Sequence, residues 1–293
     1  MEQENRRSFI AIPIAILIAA GLAFAGSQGG ETAFGFPIFA LCVGIAFLIQ
    51  WIAFIPAYTK QTEAFFDLTG SITFITVLVA AVSLSPEVDL RAWILFAIIS
   101  VWALRLGTFL FRRIRAAGED RRFREIKKSF SRFLLTWTLQ GLWVSFSLAA
   151  ALAAITAVEK VEVGTYAWAG LLIWLVGFGI EVAADRQKSA FKTNPENKDR
   201  FINVGLWSWS RHPNYFGEIV LWIGVAVIAL PVLSGWQYLT LISPIFIFLL
   251  LTRISGIPML EARADEKWGG QRDYEAYKAN TSVIIPLPPS KKS

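Results

Sequence analysis

Asn214 and Glu218 stand four residues apart at the start of an apolar stretch, directly behind Arg211, His212 and Pro213. A spacing of four puts the amide and the carboxylate on one face of a helix. Pro213 suits the first helical turn, where its missing N–H is not needed. The free backbone N–H groups of such a turn favour an anion, and Arg211 adds positive charge there. His212 is the chain's only histidine. An amide and a carboxylate below such a mouth suit the hydroxyl and carboxamide groups of a nucleotide cofactor. A matching pattern lies upstream: Glu181 and Asp185 are four apart, Lys188 follows three later, and Lys192, Lys198 and Arg200 are near enough in sequence to meet phosphates. The plainer reading is that these residues solvate helix ends.

Other ionisable residues fall inside apolar stretches, where they are functional candidates by default. Asp67 lies one turn inside the third stretch and Arg105 two turns inside the fourth. At 1.5 Å per residue, all of these groups lie within roughly 10 Å of one membrane surface. That gathering predicts a pocket open to one side, whereas a channel strings its polar groups along the whole path. The competing reading pairs Asp67 with Arg105 as a structural ion pair. Gln50 and Gln140 read as hydrogen-bonding links between helices.

The elements that carry these groups are membrane helices. Of the 293 residues, 55% are hydrophobic and 17% charged, against about 25% charged in soluble domains. The apolar residues fall in blocks of about 18 to 26, the length of a bilayer-spanning helix. Eight are read, near 9–26, 33–58, 64–85, 90–111, 134–157, 165–183, 214–233 and 238–257. Lipid satisfies no backbone hydrogen bonds, and the alternation of a membrane barrel is missing. The expected fold is an all-α polytopic bundle of about eight transmembrane helices, within a range of seven to nine. The first block follows Arg6 and Arg7 but is longer than a signal-peptide core, and is kept as a span.

All but three of the 28 Lys and Arg fall on one side of the expected membrane; the exceptions are Arg91, Lys160 and Arg105. The positive-inside rule makes that side cytoplasmic and places both termini there. The net charge of +6 therefore reads as topology, and no nucleic-acid partner is expected. Cys42 is the only cysteine, so no intrachain disulfide forms, and no Cys/His cluster offers a metal site. One membrane domain is expected over 1–293, with substrate-side helices in 1–133 and a cofactor-binding half in 134–293. The basic segment 112–133 reads as a juxtamembrane stretch on anionic headgroups, or as a cover for a phosphate-bearing cofactor. The proline-stiffened ending, Val283 to Pro289, is expected to lie against the protein or the membrane interface.

The string Gly205-Leu206-Trp207-Ser208-Trp209-Ser210-Arg211-His212-Pro213-Asn214-Tyr215-Phe216-Gly217-Glu218 resembles the cofactor motif of membrane steroid 5α-reductases and sterol reductases. It is closest to their bacterial 5α-reductase-like branch. The resemblance covers about 177–288. It includes Glu181-x-x-x-Asp185 with its basic run, and Tyr274-x-x-Tyr277 before Ile285-Pro286. It implies NADPH bound from the cytoplasmic side and hydride delivery to a carbon–carbon double bond, often conjugated to a carbonyl. By matching position, Asp185, Asn214 and Glu218 contact the cofactor together with Arg211 and His212. Lys192, Arg200 and Arg253 are its phosphate partners.

Two departures bear on the substrate more than on the cofactor. The family's Gln-Glu pair is not found, and the region that supplies its Tyr reads Ala103-Leu104-Arg105-Leu106-Gly107. The Asn before Asp185 is replaced by Glu181. Asp67, protonated through burial, is the candidate acid toward a substrate carbonyl, with Arg105 an alternative electrostatic clamp.

Two other functions compete with an NADPH-dependent reductase of a lipophilic, steroid- or isoprenoid-like substrate. Isoprenylcysteine carboxyl methyltransferases, which use S-adenosylmethionine, share an Arg-His-Pro-x-Tyr-x-Gly string, and Glu261 and Tyr274 would serve that reading. A non-catalytic lipid-binding membrane protein is the third. The partners expected are the lipophilic substrate and membrane lipids. The location is a multi-pass one, in the inner membrane of a bacterium or the endoplasmic reticulum of a eukaryote.

Overall fold

The computed structural model describes residues 2–288; Pro289 lies outside them. The described residues are all-α apart from one short hairpin, Thr32–Ala33 with Phe36–Pro37. Eight helical stretches among the described residues are long and apolar enough to cross a membrane. Large apolar side chains face outward along them, Leu17 at 70% and Leu172 at 63% exposure among them. Such outward apolar surface belongs in lipid. This is an integral multi-pass membrane protein.

The chain forms two compact units, Met1–Ala167 with Ile228–Ser243, and Trp168–Val227 with Pro244–Ser293. The first unit contains α1 (Glu2–Gly26), α2 (Ile38–Thr59), α3 (Phe66–Leu84), α4 (Leu90–Ala117) and α5 (Phe130–Ile155). Helix α5 is its centre, with Ala149 to Ile155 buried without a break. A run of alanines lets neighbouring helices approach closely. Helix α1 lies along α5 and buries Ala15, Ala19, Leu22 and Ala25, a helical repeat of one face.

The amides read as links do link helices. Gln50 Nε2 on α2 donates to Thr73 Oγ1 on α3 at 2.7 Å, and Gln140 Nε2 on α5 donates to the Phe66 carbonyl on α3 at 3.0 Å. Side-chain caps start two helices. Asp89 accepts from Ala92 N at 2.8 Å on α4, and Ser129 accepts from Arg132 N at 3.4 Å on α5. The basic segment before α5 docks on its own unit. Phe123 is buried among Phe66 and Phe133, and Lys127 pairs at 2.7 Å with the buried Glu63. Arg122 and Arg124 pair with Asp120 and Glu119.

Arg91 is 1% exposed. It donates to the carbonyls of Ile228 at 2.6 Å and of Val161 and Glu162 at 3.1 Å, all within the first unit. Its charge therefore collects orphan carbonyls at a helix end and in a loop. Arg91→Met is expected to cost about 2 kcal/mol of stability, because it strands the buried Ile228 carbonyl and removes the donor to two part-buried ones. Thermal unfolding in detergent reads this, and a loss below about 1 kcal/mol would show that the carbonyls find other partners.

The second unit contains most of α6 (Thr165–Thr193) and α7 (Pro213–Ala229), the part of a broken eighth segment from Pro244 onward, and two tail helices, α9 (Ile257–Trp268) and α10 (Arg272–Asn280). The block expected as one helix over 238–257 is not continuous. A 3₁₀ turn (Gly235–Leu241) leads into α8 (Ile242–Leu249), which widens to a π-turn (Leu250–Ile254) before Gly256. Pro258 then suits the first turn of α9, which restarts the chain as a new helix. Helices α4 and α6 also run farther than their apolar blocks, to Ala117 and Thr193.

Candidate functional site

Three glycines set the geometry of the second unit's candidate site. A Cβ at Gly177 on α6 would meet the Leu221 N and Gly217 carbonyl of α7 at 2.5 and 2.6 Å. A Cβ at Gly217 would meet the Glu181 N and Gly177 carbonyl of α6, both at 2.6 Å. One at Gly224 would meet the Gly170 carbonyl and Trp174 N at 2.6 Å. The two backbones therefore touch along two turns, and only glycine allows that approach.

This crossing brings the two i,i+4 pairs face to face. Asn214 Nδ2 donates to Asp185 Oδ1 at 3.3 Å. Asp185 and Glu181 are buried, while Asn214 and Glu218 are half-buried. Helix α7 begins at Pro213, as its sequence position implies. Of the basic residues, Lys192 closes α6, Arg200 follows the turn Pro195–Asn197, and Arg253 lies in the π-turn; all three are exposed. Lys188 lies 4.4 Å over the ring of Trp207, whose Nε1 donates to the Ala184 carbonyl at 3.0 Å.

Arg211 and His212 converge on a residue outside the motif. Glu261, on α9, accepts from Arg211 NH1 at 2.9 Å and lies 2.8 Å from His212 Nε2. Burial pushes the His212 imidazole below its ordinary pKa, against the opposing hydrogen bond to Glu261. The ring stacks on Tyr215 at 5.7 Å and 12°. Its Nδ1, like Arg211 Nε, is buried without a hydrogen-bond partner.

The tail fastens this segment from outside. Arg211 N donates to the Ser282 carbonyl at 2.8 Å, Ser210 Oγ to that of Ile284 at 2.9 Å, and Leu287 N to that of Trp209 at 3.0 Å. Tyr277 OH donates to the Trp207 carbonyl at 2.7 Å, and Tyr274 OH to Asp265 at 2.9 Å. Burial raises both phenols above their ordinary range, so they act as donors. The apolar ending thus lies against the protein over its described part.

Asp67 and Arg105 belong to the first unit. Asp67 is in the first turn of α3 and Arg105 within α4, both half-buried. Their helices approach where a Cβ on Gly107 would come within 2.5 Å of Ser71 Oγ. The Arg105 guanidinium lies 5.6 Å over Phe109. No group of His, Cys, Asp and Glu suited to a metal occurs among the described residues.

Sequence reasoning for a reductase left out Glu261 and the glycine crossing. A signal for the first exists: Glu261 is the one acidic residue between Glu218 and Asp265.

A family described as "Protein of unknown function (DUF1295)" matches residues 53–281. Among curated proteins, the chain is 31% identical over 119 residues to "Steroid 5-alpha-reductase DET2" of Gossypium hirsutum, covering 41% of each chain. It is 27% identical over 119 residues to "3-oxo-5-alpha-steroid 4-dehydrogenase 1" of Rattus norvegicus, covering 40% of each. It is 26% identical over 165 residues to the Arabidopsis thaliana DET2 protein, covering 54% of this chain and 53% of the relative. The chain thus spans about half the length, or less, of these relatives. No solved structure matches it. With more than half of its residues matched, the chain belongs to the DUF1295 family, a steroid 5α-reductase-like family.

Proposed function

We propose that the protein is an integral membrane reductase that uses NADPH to saturate a carbon–carbon double bond in a lipophilic, steroid- or isoprenoid-like substrate. The observation that carries this reading is the Asp185–Asn214 pair, held on a glycine-clamped crossing with Glu218 one turn below Asn214. The relatives' printed names, steroid 5α-reductases and 3-oxo-5α-steroid 4-dehydrogenase, give it its reaction class.

The residues present fit a dinucleotide phosphate in kind. Asp185 and Glu218 accept from hydroxyls, and Asn214 both donates and accepts. Arg211 Nε and His212 Nδ1 are buried polar atoms still without partners. The exposed cations Lys192, Arg200 and Arg253 suit phosphates. When bound, NADPH supplies the hydride. The protein's own work is to hold the nucleotide and to stabilise charge at the substrate carbonyl. We assign that last role to Asp67 as proton donor and Arg105 as electrostatic clamp; their half-burial on adjoining helices supports it.

The methyltransferase reading needs Glu261 and Tyr274. Both are engaged inside the protein, Glu261 with Arg211 and His212, Tyr274 with Asp265.

The purified protein, given NADPH and a 3-oxo steroid with a 4,5 double bond, is expected to oxidise the nucleotide and yield a product heavier by two hydrogens. Steroid-like and isoprenoid enones that all fail, with NADPH bound, would sink the reductase reading. Asp67→Asn is expected to slow turnover by about 10²-fold or more with NADPH affinity unchanged. Turnover that survives the substitution would take Asp67 out of the mechanism.

A further inference from the structure

We propose that Glu261 is a positioning residue that fixes the tautomer of His212, leaving Nδ1 as an acceptor for a hydroxyl or amide N–H of the bound nucleotide. The inference rests on the nucleotide reading above and adds to it a residue outside the motif and a specific atom.

The His212 side chain is 7% exposed, and its Nε2 lies 2.8 Å from Glu261 Oε1. The other oxygen of Glu261 is held by the Arg211 guanidinium at 2.9 Å. A carboxylate in that pair accepts and does not donate, so Nε2 must carry the hydrogen. In a neutral ring Nδ1 is then bare.

The ring is held so that it cannot exchange its two nitrogens. Tyr215 stacks on it at 5.7 Å. Tyr215 is itself packed against Gly256, where a Cβ would come within 2.9 Å of Tyr215 Cε2. The backbone on either side is tied as well, His212 N to Ser210 Oγ at 3.1 Å and Arg211 N to the Ser282 carbonyl at 2.8 Å. The arrangement leaves a buried acceptor, Nδ1, unsatisfied. Buried polar atoms in native proteins are nearly always paired, and an exception calls for an explanation. His212 is two residues before Asn214, so a ligand held by Asn214 supplies one.

The single histidine makes the test clean, because ¹⁵N-histidine labelling reports one ring. Without ligand, the spectrum is expected to show Nε2 protonated and Nδ1 as the bare nitrogen. Glu261→Ala is expected to give a mixture of tautomers. Adding NADPH to the wild-type chain should move the Nδ1 resonance in the direction of a hydrogen-bonded acceptor and leave Nε2 in place.

Side-chain reach provides a second arm. His212→Gln keeps a polar group near the Nε2 position but none at Nδ1, and is expected to weaken NADPH binding about tenfold, the worth of one hydrogen bond. His212→Asn, whose amide stands near Nδ1, should recover most of that loss.

NADPH fluorescence on the same samples reports occupancy independently. Saturation with an unmoved Nδ1 resonance, or an Nδ1–H tautomer in the free protein, overturns the inference and leaves the reductase reading standing. Failure of NADPH to bind at all overturns both.

Discussion

Asn214→Ala is expected to weaken NADPH binding by about 10- to 100-fold, about 1.4 to 2.8 kcal/mol, while the protein still folds. Two losses combine. The ligand loses an amide contact, and the buried Asp185 loses the donor that lies 3.3 Å from it. The fold survives because the α6–α7 crossing is made by glycine backbone and not by Asn214, which is only half-buried. Glu218→Ala, one turn below, should act in the same direction. Titration calorimetry beside a thermal melt separates the two effects. Wild-type affinity in the Asn214 variant would remove this face from the site.

Gly217→Leu is expected to abolish NADPH binding and to destabilise the protein as well. The added side chain would start 2.6 Å from the Glu181 N and the Gly177 carbonyl. Both are backbone atoms of a helix and cannot step aside. Overpacking of this kind costs about 1 to 3 kcal/mol, and the helices must part by about an ångström or more. Displacement on that scale costs an aligned site about 10²-fold. The control lies nearby. A Cβ at Gly179 meets nothing within 4 Å, so Gly179→Ala should be neutral or gain up to about 1 kcal/mol from helix propensity. Equal damage from the two substitutions would show that the glycine crossing does not position the site.

The contrast between Gly177 and Gly179 shows where sequence reasoning stops. Gly177-Phe178-Gly179 lies inside α6 with no strand before it, so it is no dinucleotide fingerprint. What makes Gly177 matter is the Leu221 N and Gly217 carbonyl of another helix some forty residues on. No local pattern encodes such a neighbour. Glu261 stands out in the sequence as a lone acidic residue, but its contact with His212 lies 49 residues away and no local pattern shows it.

Features governed by length and period were legible. The eight apolar blocks, the start of α7 at Pro213, and the links made by Gln50 and Gln140 needed only helix geometry and the cost of burying polar groups in lipid. The eighth block was legible as a span, but its division into a 3₁₀ turn, α8 and a π-turn was not. The backbone there breaks at Gly256 and restarts with α9 at Ile257, just past the polar residues Thr252, Arg253 and Ser255.

Equilibrium binding of NADPH and of S-adenosylmethionine to the detergent-purified protein tests the central claim most directly. The account predicts one saturable NADPH site, displaced by NADP⁺ and weakened by Asn214→Ala, with no measurable affinity for S-adenosylmethionine. Saturable binding of S-adenosylmethionine with none of NADPH would contradict it.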